Sequence, residues 1–393
     1  MSELEREPSA RGVWDEVVGQ AAAVEELTAA ATDPAAMTHA WLFTGPPGSG
    51  RSVAARAFAA ALQCPDHGCG NCTACHTTMS GTHSDVREVV PEGLSIRVDE
   101  MRALVQLAAR RPATAPYQIL IITDADRLTE GAANALLKAV EEPPQRTVFL
   151  LCAPSDHQDD VPVTIRSRCR VVPLRIPPPD AIARVLVDRD GVPPDAAAWA
   201  ASVSGGHVGR ARHLARDPEA RAHREAVLGI PLRTRNLGDA FTHAGDLVRT
   251  AKAEATALSE TRDVVEREAM AVAMGAGGVG KGVAAAARGA KAAERELERR
   301  QKSRNTRTQR DAIDRALVDL ASFFRDALVV GSGARVPLTN PDREADLRRA
   351  ATEWPAESVL RRLEAVLECR SALDQNVKPE IAVEAMMVVL QRG

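Results

Sequence analysis

The sequence predicts an α/β domain, a parallel sheet with helices on both faces, followed by a small helical lid and an all-α C-terminal region. Three observations carry that prediction. A glycine-rich loop, Gly45-Pro46-Pro47-Gly48-Ser49-Gly50-Arg51-Ser52, stands between a short apolar run and an alanine-rich helical stretch. Apolar runs then alternate with helical segments as far as about residue 173, the signature of strands joined through crossover helices. Beyond about residue 237 the apolar residues recur at helical spacing only.

In chain order, His39 to Thr44 reads as a buried strand and Ser52 onward opens a helix. The loop between them fits the phosphate-loop template, Gly, four residues, then Gly-Lys-Ser/Thr, at every position but one. The lysine position holds Arg51. Backbone amides at a helix N-terminus make an anion site whatever the side chains are. Arginine, longer and forked, does not replace the compact charge that lysine puts on β- and γ-phosphates. The cradle is kept and its charge is changed. The plain alternative is a glycine-rich turn that binds nothing.

Cys64, Cys69, Cys72 and Cys75 follow, spaced C-x4-C-x2-C-x2-C. Four soft ligands suit tetrahedral zinc, and Gly68, Gly70 and Asn71 give such a knuckle its backbone freedom. His67 and His76 lie close by, but four thiolates complete the shell without them, so this zinc is expected to be structural. Free thiols or a redox pair are the alternatives. Cys152, Cys169 and Cys369 stand alone and read as small buried hydrophobes.

Ile119 to Ile122 is fully apolar, as a buried parallel strand would be. It ends in Thr123-Asp124-Ala125-Asp126-Arg127. A helix over about Ala132–Glu142 is stopped by Pro143-Pro144, and Thr147 to Leu151 forms another strand. In Thr164 to Arg170, arginines alternate. An extended segment would put Arg166, Arg168 and Arg170 on one face. Pro173 and Pro177 to Pro179 mark a linker, and residues 180–215 read as a helical lid. In the last region Ile313, Leu317, Leu320, Phe324 and Leu328 form one apolar face, and Leu360, Leu363, Val366 and Leu367 repeat it.

Residues 250–310 are charged and glycine-containing. Gly275 to Gly282 formally matches GxxxxGK, but no apolar strand precedes it and Gly282 replaces the metal-binding hydroxyl, so it reads as a decoy. Lys291, Arg295, Arg299, Arg300, Lys302, Arg304, Arg307 and Arg310 make a basic stretch without interleaved aromatics for base stacking. A solvated charged helix or mobile insertion explains it more simply than nucleic-acid binding does.

At 393 residues the chain has room for two or three cores. A net charge of −3 argues neither for nor against nucleic acid. No stretch approaches the roughly 20 uncharged apolar residues of a membrane span. The segment Met1 to Arg6 has no apolar run after a basic start, so no export signal is expected. Seven cysteines, four of them clustered, point to metal binding in a reducing, cytoplasmic compartment.

Taken together, GPPGSGRS, the cysteine knuckle, Gly81-Thr82-His83-Ser84-Asp85, NALLKAVEEPP (134–144) and Ser167-Arg168-Cys169 resemble the bacterial DNA polymerase III clamp loader, a group of AAA+ ATPases. Asn376-Val377-Lys378-Pro379 and the helix after it are similar to that family's C-terminal end. The resemblance implies an AAA+ domain over 1–175, a lid over 176–235 and a C-terminal collar over 236–393 through which subunits oligomerise. It implies that Trp14 to Gln20, with Val18, lies against adenine. It does not extend to the 250–310 insert.

Motor subunits of this family (gamma/tau) end the second nucleotide strand in an Asp-Glu pair, for magnesium and for the attacking water. Counted back from Asn134, those positions fall on Thr123 and Asp124. Their phosphate-sensing lid arginine falls on Gly209, with Arg210 one residue off. With Arg51, three departures coincide, and the pattern resembles the delta-prime subunit. That implies a subunit that assists ATP-driven loading of a ring clamp while binding ATP and magnesium weakly or not at all. It also implies partners: gamma/tau and delta subunits in a hetero-pentamer, the sliding clamp, and primer-template DNA through the complex, in a nucleoid-associated replisome. Ser167-Arg168-Cys169 resembles the family's arginine finger, so Arg168 is expected to reach a neighbour's ATP. A motor subunit of the same machine and a zinc-dependent nucleic-acid module remain as alternative readings.

Overall fold

The computed structural model describes residues 12–91, 93–273 and 283–393. The chain divides into two compact units, the first ending at Arg216 and the second running from Asp217 to Gly393.

The first unit contains α1 (Ala21–Thr32), β1 (Ala40–Thr44), α2 (Arg51–Gln63), α3 (Thr73–Met79), β2 (Val86–Val89), α4 (Val98–Ala108), β3 (Gln118–Ile122), α5 (Glu130–Glu141), β4 (Thr147–Ala153), α6 (Val163–Arg166) and β5 (Arg170–Pro173). The strands form one sheet in the order β2-β3-β4-β1-β5, every pairing parallel. The expected alternation of strand and helix is therefore real. Strand side chains point alternately to opposite faces, and here both faces are covered. Trp41, Phe43, Ile119, Ile121, Val148 and Leu150 pack against α2 on one side. Leu42, Leu120, Ile122, Phe149 and Leu151 pack with α4 and α5 residues on the other. That explains why β1, β3 and β4 read as unbroken apolar runs. The alanines of α2, at positions 54, 55, 57 and 59–61, are all buried; small side chains let this helix lie close to the sheet.

Three helices complete the unit: α7 (Pro179–Asp188), α8 (Pro194–Val203) and α9 (Val208–Arg216). The sequence extends the lid to 235. The unit closes earlier, because α10 (Pro218–Leu228) and α11 (Ile230–Arg233) bring Val227, Leu228 and Ile230 into the core of the second unit.

The second unit is all helical. With α10 and α11 it holds α12 (Leu237–Ala273), α13 (Val283–Ser332), α14 (Glu344–Glu353), α15 (Ala356–Asp374) and α16 (Pro379–Arg392). Ile313, Leu317, Leu320 and Phe324 are fully buried, with Leu328 packed at the edge. On α15 the expected face is only half correct. Val366 is buried and Leu363 partly so, but Leu360 and Leu367 stand out in solvent. The buried stripe there runs through Val359, Arg362, Val366, Cys369 and Leu373, rotated because the Arg362 guanidinium stacks on Trp354, 4.3 Å from the ring centroid, and donates to Leu390 O.

The described residues of the 250–310 region form the far parts of α12 and α13, which run antiparallel: Arg315 pairs with Glu254, and Arg304 with Asp263. Among its described side chains, five arginines of the basic stretch, at 299, 300, 304, 307 and 310, are paired within the chain. Arg304 bridges Asp263 and Glu266 at 2.6 and 2.7 Å, Arg299 pairs with Glu296, and Arg310 donates to Leu373 O and Asn376. The GxxxxGK look-alike at 275–282 lies outside the described residues.

Candidate functional site

The loop between β1 and α2 is built by glycines whose conformations other residues adopt at a cost. Gly45, Gly48 and Gly50 all have positive φ, and Gly50 caps α2 in the left-handed region with no side chain bonded to the helix start. The first-turn N–H groups of α2 have no intrahelical partners. Gly45 N donates to Pro154 O at 3.1 Å, and Ser49 N to Pro46 O at 3.1 Å. A Cβ on Gly45 would stand 2.5 Å from Leu174 O and 2.6 Å from Ser49 Oγ, and one on Gly48 3.2 Å from His207. The loop is thus enclosed by the β5 exit and by the Gly205-Gly206-His207 turn.

Gln20 ties these parts together. Its amide donates to Ser49 O at 3.1 Å and to Arg175 O at 2.5 Å, and its carbonyl accepts from Arg175 N at 3.1 Å. The Trp14–Gln20 stretch therefore holds the loop to the chain leaving β5, with Trp14 and Val17 buried and Val18 half-buried. This role is invisible in the motif; a buried glutamine beside a glycine loop is its only signal.

The charged side chains form a group at the C-terminal ends of β3 and β4. Thr123 has no carboxylate, and its hydroxyl donates to Val89 O at 3.1 Å, so it is committed to the neighbouring strand. Asp124 and Asp126 follow it. Burial raises the Asp126 carboxyl above its ordinary range; Asp124 adds to the rise, while Arg127 and Arg51 oppose it. Cys152 on β4 is pushed up to about 12, by burial first, with Arg51 opposing and Asp124 and Glu88 adding. The Arg51 charge thus acts on both β4 and the acidic turn. Arg56 is separately forked onto Glu88, at 2.8 and 3.2 Å. Asp126 is a candidate site residue that motif counting passes over; a second acid, four positions after a buried strand, is the signal for it. Gly209 offers no side chain, and Arg210, beside it, is half-buried, its backbone N–H donating to His207 Nδ1. Where the resemblance implies a magnesium carboxylate, this chain has a hydroxyl already bonded to Val89 O.

The cysteine knuckle sits at the end of α2. The four ligand sulfurs of Cys64, Cys69, Cys72 and Cys75 lie within 4.8 Å of one another, and could hold a metal ion. Cys64 Sγ is 3.6 Å from both Cys69 Sγ and Cys72 Sγ. Burial pushes the Cys64 thiol up, but the backbone at Cys69, Gly68 and Asp66 outweighs it and leaves the group lowered to about 7. Cys75 is raised, by burial and by the neighbouring sulfurs. One sulfur easily ionised beside another held neutral is what crowded thiols do without a cation; a divalent ion would favour thiolates throughout. The knuckle also holds the N-terminal stretch: Val13 N donates to Gly68 O at 3.0 Å, and a Cβ on Gly68 would meet Val13 at 2.8 Å.

The arginine strip differs from the extended segment expected. Val163–Arg166 is a helical turn and β5 starts at Arg170, so the three arginines do not share a face. Pro162 starts the turn, and Ile165 anchors it in the core. Each arginine finds its own carboxylate: Arg166 pairs with Asp156 at 2.8 Å, Arg168 with Glu141 at 2.7 Å, and Arg170 with Glu26 at 2.6 Å. Arg168 also donates to Thr164 O at 2.8 Å. Of the lone cysteines, Cys152 and Cys369 are buried, whereas Cys169 is only partly so.

Comparison with known proteins finds relatives for both ends of the chain. The family described as DNA polymerase III, delta subunit, matches residues 19–178, and the one described as its C-terminal part matches 308–392. The chain is similar to the Bacillus subtilis DNA polymerase III subunit tau, 37% identical over 161 residues, covering 40% of this chain and 28% of that protein. It is similar to the Bacillus subtilis subunit delta', 33% identical over 197 residues, 49% of this chain and 59% of that one. The Mycobacterium tuberculosis gamma/tau subunit is 33% identical over 192 residues, 47% and 33% of the two chains. The chain therefore aligns with well under two thirds of each relative's own length. Two family segments in the expected order, with relatives of both the delta' and the gamma/tau kinds, make this chain a member of the DNA polymerase III clamp-loader subunit family.

Proposed function

We propose that the chain is the delta-prime, or stator, subunit of a DNA polymerase III clamp loader. In this reading it assembles with gamma/tau and delta subunits into a hetero-pentamer that places a sliding clamp on primer-template DNA in the cytoplasm. It does not itself hydrolyse ATP. The observation that carries the reading is Thr123, whose hydroxyl is bonded to Val89 O where a motor needs a magnesium carboxylate. Arg51 and Gly209 add a misplaced and a missing charge. Zinc in the four-cysteine knuckle is structural: sulfur separations of 3.6 Å are near the about 3.8 Å that tetrahedral Zn–S bonds of about 2.3 Å imply. Arg168 acts in trans, its guanidinium leaving Glu141 to stabilise charge on a neighbour's transferred phosphoryl group.

The acids Asp124 and Asp126 at the end of β3 favour a second reading, a gamma/tau-type motor that tolerates Arg51. One assay separates the two. The isolated chain is expected to turn over ATP far below the ordinary enzymatic range of about 1–10³ s⁻¹, and Arg51→Lys alone is expected to leave it there. Turnover near 1 s⁻¹ that disappears on changing Arg51 would establish the motor reading instead.

A further inference from the structure

Residues 12–20 touch two separate parts of the first unit. At one end Gly12, with a φ of 96°, is pressed against the knuckle backbone: a Cβ on it would stand 2.1 Å from Gly68 O and 2.8 Å from the Cys69 carbonyl carbon. Gly70 comes as near, its Cβ position 2.8 Å from Gly12 Cα. Val13, Trp14 and Val17 then share one apolar core with Cys64 and Cys75. At the other end the lid takes hold. Arg189, at the end of α7, pairs with Glu16 and donates to Asp15 O at 3.5 Å. Gly19 lies against Pro177 and Pro178, 3.3 and 3.2 Å from its Cβ position, and Gln20 is bonded both ways to Arg175. The lid helices α7, α8 and α9 pack on one another. Among the described residues, neither apolar core beside the sheet includes one of theirs, so the lid's place depends on ties such as these.

We propose that residues 12–20 are a strap through which metal in the cysteine knuckle sets the position of the lid. Thiolates gathered on one ion fix the turn between Cys64 and Cys72. Gly68, Cys69 and Gly70 of that turn are the surface on which Gly12 and Val13 sit, so a rigid knuckle gives the strap a single seat. Loss of the ion frees a turn rich in glycine, and the strap loses that seat. The lid then keeps its bonds to the strap but not a fixed place over the sheet. Coupling of this kind is reciprocal: the lid's hold on the strap must act back on the affinity for metal. The inference rests on the knuckle holding zinc and is independent of whether the chain hydrolyses ATP.

The test is a distance measurement on the full-length chain by double electron–electron resonance. Spin labels are joined through non-natural azide side chains at positions 102 and 184, both exposed, on α4 and α7. A second pair at 102 and 142 lies outside the lid and reports loss of the fold. With zinc bound, the 102–184 distribution should be narrow; chelation should broaden it and leave 102–142 narrow. Gly12→Ala, which unseats the strap without altering a cysteine, should broaden it with zinc still bound. Glu16→Gln combined with Arg189→Gln should broaden it too, reduce the further effect of chelation, and weaken zinc by about 2–5-fold in chelator competition. If Gly12→Ala does not fold, that double variant decides alone. A 102–184 distribution indifferent to chelation or to a folded Gly12→Ala chain, or unchanged zinc affinity in the double variant, would overturn the strap. So would broadening of both pairs together, which is plain loss of stability. A chain that takes up no zinc even when zinc is added overturns the zinc assignment and the coupling with it, whereas bound zinc with a lid that ignores it overturns the coupling alone.

Discussion

The cysteine knuckle and the phosphate loop lie at opposite ends of one helix, α2, and they differ in kind. The knuckle contains every ligand a tetrahedral metal needs, within 4.8 Å of each other. The loop has its whole backbone geometry, with positive φ at Gly45, Gly48 and Gly50, but in the proposed stator reading the side-chain charges around it do not match ATP hydrolysis. A backbone cradle is specified by glycines and by its place between strand and helix. Chemistry needs particular groups at particular atoms, and in the proposed stator reading one hydroxyl in place of a carboxylate removes it. The shape of a site and its reactivity are thus separately encoded.

The largest effect should come from breaking the complete site. Cys75→Ala, or exhaustive chelation, should remove one equivalent of zinc and destabilise the first unit by more than about 3 kcal/mol, since structural zinc contributes folding energy directly. Metal analysis with calorimetric unfolding checks this; less than half an equivalent in untreated protein would end the zinc assignment. The second effect concerns what the incomplete site leaves to a neighbour. In a reconstituted complex with unaltered motor subunits, Arg168→Ala should lower DNA- and clamp-stimulated ATP turnover by about 10²-fold or more, with Arg168→Lys rescuing poorly. The chain's own stability should change by no more than about 1 kcal/mol, because the Arg168–Glu141 pair is roughly 40% exposed on each side. Glu141→Gln should spare turnover, since it only releases the guanidinium. Unchanged turnover in Arg168→Ala would make this residue ordinary surface charge.

A smaller change tests whether the cradle's shape is held from outside. Gln20→Ala removes three hydrogen bonds between Ser49, Arg175 and the N-terminal stretch, and should cost about 1–3 kcal/mol, leaving buried backbone groups unpaired. Faster amide exchange at residues 45–50 and 174–176 would be its signature; exchange unchanged at both would mean that the loop holds itself. The smallest effect lies in the second unit. Arg304 first, with Gln301 and Arg262, depresses the Glu266 carboxyl from 4.5 to about 2 against the opposing effect of burial. A depressed acid stabilises above its unfolded value and loses that contribution as pH falls. Helicity from the far parts of α12 and α13 should therefore hold above about pH 4.5 and decline towards pH 2. Arg304→Gln should abolish that dependence in a circular dichroism titration.

Much of this was legible in residue order. Strands β1, β3 and β4 are buried on both faces, so their apolar runs needed no periodicity to stand out, and ligand spacing marked the knuckle. What the sequence hid were relations made by folding. The arginines of 166–170 alternate in the chain, but Pro162 and Ile165 wind a helical turn there and send each guanidinium to a carboxylate distant in sequence. Leu360 and Leu367 look like core until Arg362, stacked on Trp354, takes the inward position. Thr123 and Gln20 carry no sign in the sequence of the oxygens they bind.

The long helices of the second unit also imply a gradient of local unfolding along single rods. At about 1.5 Å per residue, the 50 residues of α13 extend about 75 Å. From Ala312 to Ala327 the rod is clamped by core side chains, whereas around Gln301 and Arg304 it is held by hydrogen bonds to Asp263 and Glu266. Backbone amides on one continuous helix should therefore exchange at rates spanning orders of magnitude, slowest near Phe324 and fastest beyond Arg304. A protease that cut the distal part would leave both fragments anchored in the same bundle, so that cleavage would show on a denaturing gel and not on a sizing column.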